Sequence, residues 1–202
     1  QTGVFKGVRE KFIAQDYNGA LSILDAVKAP LSPIQQGQKS FAEGVAAFEL
    51  EKYDVAQTKL LKALTFPGPI EYYVRYYLGR VLQAKKQYKE ADGEYQRALK
   101  LRPPQHLGFM IKFQASEMAM DRKWWAAAYN ELHFLERHWR RDENYPEVLW
   151  RLIDVESQRA RKWRACHWAR KLYAKYPSHP LIDDWGIDLP TAPYTGKKIH
   201  CL

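Results

Sequence analysis

Acidic residues, cysteines and long apolar runs are all scarce in this 202-residue chain. Each shortage removes a class of protein. Two cysteines, Cys166 and Cys201, cannot build the disulfide framework of a small secreted domain or a four-cysteine zinc site. The longest uninterrupted apolar run, residues 124–129, is six long. A membrane-spanning helix needs about twenty such residues, so none is expected. Asp and Glu number 23 against 32 Lys and Arg, for a formal charge of +9. That excess favours anionic partners without naming one. There is also no glycine-rich phosphate loop, nucleophile elbow or metal-binding His/Glu helix motif. What remains is 46% apolar and 27% charged, the composition of a folded chain large enough to bury its own core.

The ends carry little information. No basic-then-apolar signal region is present. A chain opening on Gln1 is expected to be processed or excised from a longer one. Ile199-His200-Cys201-Leu202, directly after Lys197-Lys198, leaves a natural terminus and a longer parent both open.

A repeat organises the rest. Ala20, Ala56, Ala91, Ala128 and Ala165 recur at intervals of 36, 35, 37 and 37 residues. Three residues before the first four stand Tyr17, Tyr53, Tyr88 and Trp125; the fifth unit shifts its aromatic to Trp163. Four residues after the alanines come Leu24, Leu60, Tyr95, Leu132 and Ala169. Seven after come Val27, Ala63, Ala98, Leu135 and Leu172. Offsets of four and seven lie on one helix face. A small residue recurs where two helix backbones approach, because a bulky one would overpack at about 1–3 kcal/mol. The aromatic before it is placed to plug the junction. Pro30, Pro33, Pro67, Pro103 and Pro177 fall where second helices must stop. Gly44 and Gly79, at matched places in first helices, predict close helix packing.

The pattern predicts an all-α chain of ten helices in five pairs. They span 3–14 and 17–29, 35–50 and 53–65, 70–85 and 88–101, 105–121 and 124–139, and 146–160 and 163–176. The five units are 1–34, 35–69, 70–104, 105–143 and 144–177. Residues 177–202, with four of the eleven prolines and no helical period, read as an extended tail or linker. Nothing reads as a sheet.

Tyr77-Leu78-Gly79-Arg80, with Leu82, Tyr88, Ala91, Tyr95, Ala98 and Pro103, closely resembles a tetratricopeptide repeat (TPR). The match is strongest over 72–103, and in register it covers about 85% of the chain. The units are one to three residues longer than the 34-residue motif, so their turns are expected to differ. The resemblance implies a right-handed superhelical solenoid whose first helices line a concave groove for a protein or peptide segment. It implies no cofactor. A fainter similarity links 172–178, Leu172-Tyr173-Ala174-Lys175-Tyr176-Pro177-Ser178, to bacterial envelope lipoproteins. Another links the tail from His179-Pro180-Leu181 to Trp185-Gly186 with linkers of soluble lytic transglycosylases. Those likenesses imply a periplasmic or cell-envelope scaffold, or the helical arm of a peptidoglycan-processing enzyme. A cytoplasmic scaffold is the alternative.

In the register of that resemblance the inward positions of the first helices can be named. One is aromatic throughout: Phe5, Phe41, Tyr76, Phe113 and Trp150. Its neighbours are Thr2, Gln38, Tyr73, Met110 and Glu147 on one side, and Arg9, Val45, Arg80, Glu117 and Asp154 on the other. Gln83 lies one turn beyond Arg80. Aromatic anchors with arginine suit a peptide groove. The aromatic series also suits packing between successive helices, and both readings stand at this point. Tyr73, Tyr76 and Arg80 are the favoured contacts, because Val74, Leu78 and Val81 already supply an apolar face in their helix.

All seven tryptophans lie from Trp124 onward, and residues 122–175 carry +6 of the total charge. Arg137, Arg140, Arg141, Arg159, Arg161, Lys162 and Arg164 form the densest runs. Such a patch fits anionic glycan or nucleic acid, or simply solvated helix ends. No nucleic-acid motif accompanies it. His133 and His138 share no helix face well, and His133 with Glu136 is too few ligands for a metal. Cys166 reads as a buried, unreactive thiol. No catalytic residue is expected.

Overall fold

The computed structural model describes residues 2–178 except 29 and 67, together with 188–189 and 199–200. Ten helices run α1 (Thr2–Ile13), α2 (Tyr17–Asp25), α3 (Pro33–Glu49), α4 (Tyr53–Leu64), α5 (Glu71–Ala84), α6 (Tyr88–Lys100), α7 (Gln105–Asp121), α8 (Trp125–His138), α9 (Tyr145–Gln158) and α10 (Lys162–Lys175). The bounds meet the sequence expectation closely. The exception is α2, which stops at Asp25 rather than 29, well before Pro30. In the tail, β1 (Asp188–Leu189) and β2 (Ile199–His200) pair antiparallel. The expectation of a tail without any sheet is corrected to that extent.

The chain divides into two compact units, Gln1–Pro104 and Gln105–Leu202. The division falls between α6 and α7, where one repeat domain over 1–176 was expected. In the first unit, α1 packs on α2, α3 on α4 and α5 on α6, with α2 against α3 and α4 against α5. In the second, α7 packs on α8 and α9 on α10, with α8 against α9.

The recurring alanines are the hinge points of this packing. Ala20, Ala56, Ala91, Ala128 and Ala165 are all completely buried. The aromatic three residues earlier closes the junction as the pattern suggests. Phe12 meets Tyr17 edge-on at 5.8 Å, and Phe48 meets Tyr53 at 5.9 Å. Gly44 and Gly79 are needed for close approach. A Cβ on Gly44 would lie 2.7 Å from Leu60 Cγ, and one on Gly79 would lie 2.4 Å from Tyr95 Cε1.

All five turns within pairs share one device. Gln15, Glu51, Lys86, Lys123 and Ala160, each five residues before its alanine, adopt φ between 54° and 60°. The next residue's N–H then reaches back five residues, as from Gln87 to the Leu82 carbonyl at 2.8 Å. This is a Schellman cap made without glycine. The turns within pairs are therefore uniform, and the variation in unit length lies outside them. Two helix starts add side-chain caps. Asp16 accepts from the Gly19 N–H, and Ser32 with Gln35 forms a reciprocal capping box ahead of Pro33.

Four glutamates are buried, Glu43, Glu94, Glu136 and Glu156. Each is met by basic side chains. Lys59 reaches Glu43 at 2.5 Å, and Arg75 and Arg97 converge on Glu94. Lys171 and Arg140 meet Glu136 at 2.5 and 3.3 Å, while the Tyr145 hydroxyl donates to it at 3.1 Å. Arg159 and Arg164 stand 3.5 and 3.7 Å from Glu156. Part of the basic excess thus serves as internal counter-charge.

Candidate functional site

The first helices of the second and third repeats, α3 and α5, carry the most developed cluster. Arg80 leaves α5 and lays its guanidinium over Phe48 of α3, 4.4 Å from the ring centroid. It also stands 5.5 Å from the Tyr77 ring and 5.9 Å from Tyr76. Phe41 meets Tyr77 edge-on at 5.7 Å, and Phe48 meets it at 6.1 Å. Tyr72 and Tyr73 pack at 4.8 Å. Glu49 faces Arg80 at 3.7 Å, a loose ion pair that leaves the arginine 28% exposed. A cation held over three rings is stabilised by about 0.5–2 kcal/mol, more as water is excluded.

Geometry separates the expected groove residues by role. Tyr76 is only 4% exposed and packs towards Tyr95, so it is floor rather than an accessible contact. Burial pushes its hydroxyl pKa up to about 12, against the pull of Arg80. The expectation that Tyr76 occupies a separate, open face is corrected: adjacent turns of α5 are crowded against α6. Burial also raises Tyr77, again opposed by Arg80. Gln83 accepts a 2.9 Å hydrogen bond from the Tyr95 hydroxyl and is tied to the core. Phe41, Tyr73 and Arg80 keep partial exposure. Tyr77, Phe48 and Glu49 complete the cluster and were not singled out as groove contacts. Tyr77 stood in the motif itself, but only packing brings it between α3 and α5, against Phe41 and Phe48.

In the second unit the matching face lies on α7 and α9. Arg151 bridges Glu117 at 2.7 Å and Glu147 at 3.3 Å. Burial raises the Glu117 carboxyl pKa despite the Arg151 charge beside it. Phe113 stacks on Phe109 at 6.0 Å, and Trp150 is half-buried against the core. Asp154 accepts a weak 3.4 Å hydrogen bond from Gln158. Glu117 is therefore engaged by Arg151. The aromatic series is thus mainly packing, with an open edge at Phe41, Phe113 and Trp150.

The seven cations of the second half fall into two groups. Arg159, Arg161, Lys162 and Arg164 surround the turn between α9 and α10. Two of them are counter-ions of Glu156, and Arg159 also lies over the Tyr129 ring at 4.9 Å. Arg137, Arg140 and Arg141 instead line an open pocket of about 640 Å³ at the end of α8. Reading all seven as one patch is corrected on this point. His133 stacks on Tyr129 at 5.3 Å and serves packing. Among the described residues no cluster of three or more His, Cys, Asp or Glu is placed to hold a metal ion. Among them, too, no helix is long and apolar enough to cross a membrane. Cys166 is buried but is not a free thiol: it is disulfide-bonded. Cys201 lies outside the described residues, as do the side chains of Thr2 and of the tail from His179 onward.

No protein-family model matches the sequence, and no curated protein matches it. Solved structures do. The C-terminal part of a TPR repeat-containing protein from Cytophaga hutchinsonii superposes with a TM-score of 0.70 at 19% identity. The match covers 86% of this chain and 65% of that one, so this chain spans less than two thirds of that structure. YrrB, described as a TPR protein with an unusual peptide-binding site, superposes with a TM-score of 0.60 at 18% identity. That match covers 85% of this chain and 84% of YrrB. With ten helices in pairs, buried alanines at the repeat interval and these structural likenesses, the fold is that of the tetratricopeptide-repeat proteins.

Proposed function

We propose that the chain is a non-catalytic scaffold that captures a segment of a partner protein on the α3/α5 face. The observation that carries this reading is Arg80, held over Phe48 and Tyr77 while only loosely paired with Glu49. Arginine and tyrosine dominate interface hot spots because they join a large apolar surface to a polar end. Here they are pre-ordered by packing, which lowers the entropy lost on binding. The peptide-binding site of YrrB, on a similar fold, is in keeping with it. Tyr73 and Phe41 extend the surface on either side. An acidic side chain or chain terminus of the partner would displace Glu49 from Arg80 and take up the guanidinium.

We further place the scaffold in an envelope assembly. A disulfide-bonded Cys166 suits an oxidising compartment, where such bonds persist. A role as the arm of a longer envelope enzyme is compatible with the same face.

The test is photo-crosslinking in native extract, with a photoreactive residue replacing Tyr73. A single protein crosslinked through one segment, and lost when Arg80→Ala is added, supports the reading. Crosslinks spread evenly over abundant proteins, unchanged by Arg80→Ala, would sink it.

A further inference from the structure

We propose that the pocket at the end of α8 is a binding site for a small oxyanion group, phosphate or carboxylate. It is separate from the α3/α5 face and does not depend on it. Three guanidinium groups, from Arg137, Arg140 and Arg141, line about 640 Å³ of open space together with His106, His138 and Trp139.

The ordinary explanation for cations at a helix end is that they cap its carbonyls and offset the dipole. Here that work is done by other groups. The Phe134 carbonyl is met by His138 Nδ1 at 2.8 Å, and the Leu135 carbonyl accepts from the Trp139 N–H at 2.9 Å. The Glu136 carbonyl accepts from Arg140 Nε at 3.1 Å. Beyond the helix, the Trp139 carbonyl accepts from the Asp142 N–H, and the Arg140 carbonyl from Lys175. Arg137 and Arg141 are not needed for any of these bonds. Among the described residues neither of them meets a carboxylate, and both are exposed.

The pocket holds one acid of its own, Asp142. Its carboxylate is already occupied. It accepts from the backbone N–H and side-chain amide of Asn144 at 3.0 and 3.1 Å, and faces His106 at 3.6 Å. Arg140 is partly held by Glu136 at 3.3 Å. Two uncommitted guanidinium groups therefore share one concavity with a third that is partly engaged. Guanidinium presents paired N–H donors matched to two oxygens of a phosphate or carboxylate, which sets the ligand class. The indole N–H of Trp139, buried beside the cavity without an acceptor, provides a local reporter.

The experiment is calorimetric titration of the full chain with sodium phosphate and, separately, sodium succinate, each at ionic strength matched with sodium chloride. The Trp139 indole resonance, assigned with Trp139→Phe, is followed in parallel. The expected result is saturable binding of at least one anion with a shift of that resonance. Arg137→Ala/Arg141→Ala should weaken it more than tenfold. Arg161→Ala/Lys162→Ala removes equal charge elsewhere and should change it less than twofold. Phosphate binding alone or succinate binding alone each supports the site and names its preferred oxyanion. Absence of saturable binding for both anions, or equal losses in the two double variants, would overturn the proposal. Thermal unfolding in chloride checks that both variants are folded.

Discussion

Gly79 and Tyr95 are fitted to one another: a Cβ at position 79 would sit 2.4 Å from Cε1 and 2.6 Å from Cδ1 of the tyrosine ring. The same two positions, sixteen residues apart, recur in every repeat, and in the last the large residue moves to the first helix. Val8 matches Leu24, Gly44 matches Leu60, Ser116 matches Leu132, and Ile153 matches Ala169. The smallest residue stands against the largest ring, and the branched Ile153 against an alanine.

Gly79→Ala should therefore destabilise the first unit by about 1–3 kcal/mol through overpacking, although alanine favours helix. Combined with Tyr95→Leu, the cost should be less than additive by about 1 kcal/mol or more. Denaturant unfolding of the four proteins checks this. Strict additivity would mean that the two side chains do not compete for the same space. Gly93→Ala is the control, since a Cβ there meets nothing within 4 Å. It should stabilise by about 0.5–1 kcal/mol.

Lys86 sits at φ 60°, where side chains other than glycine are strained. Lys86→Gly should relieve that strain and raise stability by a few tenths to about 1 kcal/mol, despite glycine's greater freedom when unfolded. A rise in the thermal midpoint is the expected reading. A fall of similar size would show that the Lys86 side chain contributes more than its backbone costs.

Glu136 predicts acid sensitivity in the second unit. Burial alone would raise its pKa, but hydrogen bonds from Lys171 and Tyr145 and the nearby charges of Lys171 and Arg140 outweigh that and lower it below the ordinary 4.5. A lowered carboxylate pKa stabilises the fold above the unfolded value, and that contribution disappears as pH falls through the folded value. Glu117 works the other way. Its raised pKa means that ionising it costs stability, which returns as pH falls towards 4.5. Glu136→Gln should cost about 1–3 kcal/mol at pH 7 and much less at pH 3. Urea unfolding at both pH values checks it. A penalty equal at the two would show that the charge of Glu136 is not what its neighbours recognise.

Arg80→Ala and Tyr73→Ala test the binding face against a purely structural role. Both side chains are partly exposed, so each should change stability by less than about 1.5 kcal/mol. Each should nonetheless remove about 1–4 kcal/mol of partner affinity. Loss of stability as large as the loss of affinity would identify the Arg80 cluster as packing.

Helix number, helix limits and repeat register were legible in the sequence because they rest on local rules. Alanines at 35–37-residue intervals, offsets of four and seven, and prolines at the stops need no knowledge of distant contacts. The five strained turns left no such mark. Gln15, Glu51, Lys86, Lys123 and Ala160 are of four residue types, none of them glycine, and only helix packing forces each into the left-handed region. The candidate site divides in the same way. Positions such as Phe41, Tyr73 and Arg80 followed from the register that the tetratricopeptide resemblance implies. Whether a ring is floor or contact was decided by tertiary packing, which buried Tyr76 against Tyr95 and brought Tyr77 between α3 and α5. Charge shows the same limit. The composition determined that the chain is basic, but partners 31 to 35 residues apart, such as Lys85 with Asp54 and Lys171 with Glu136, exist only once helices pack. Only the tertiary structure decided which arginines are spent on buried glutamates and which remain for a ligand.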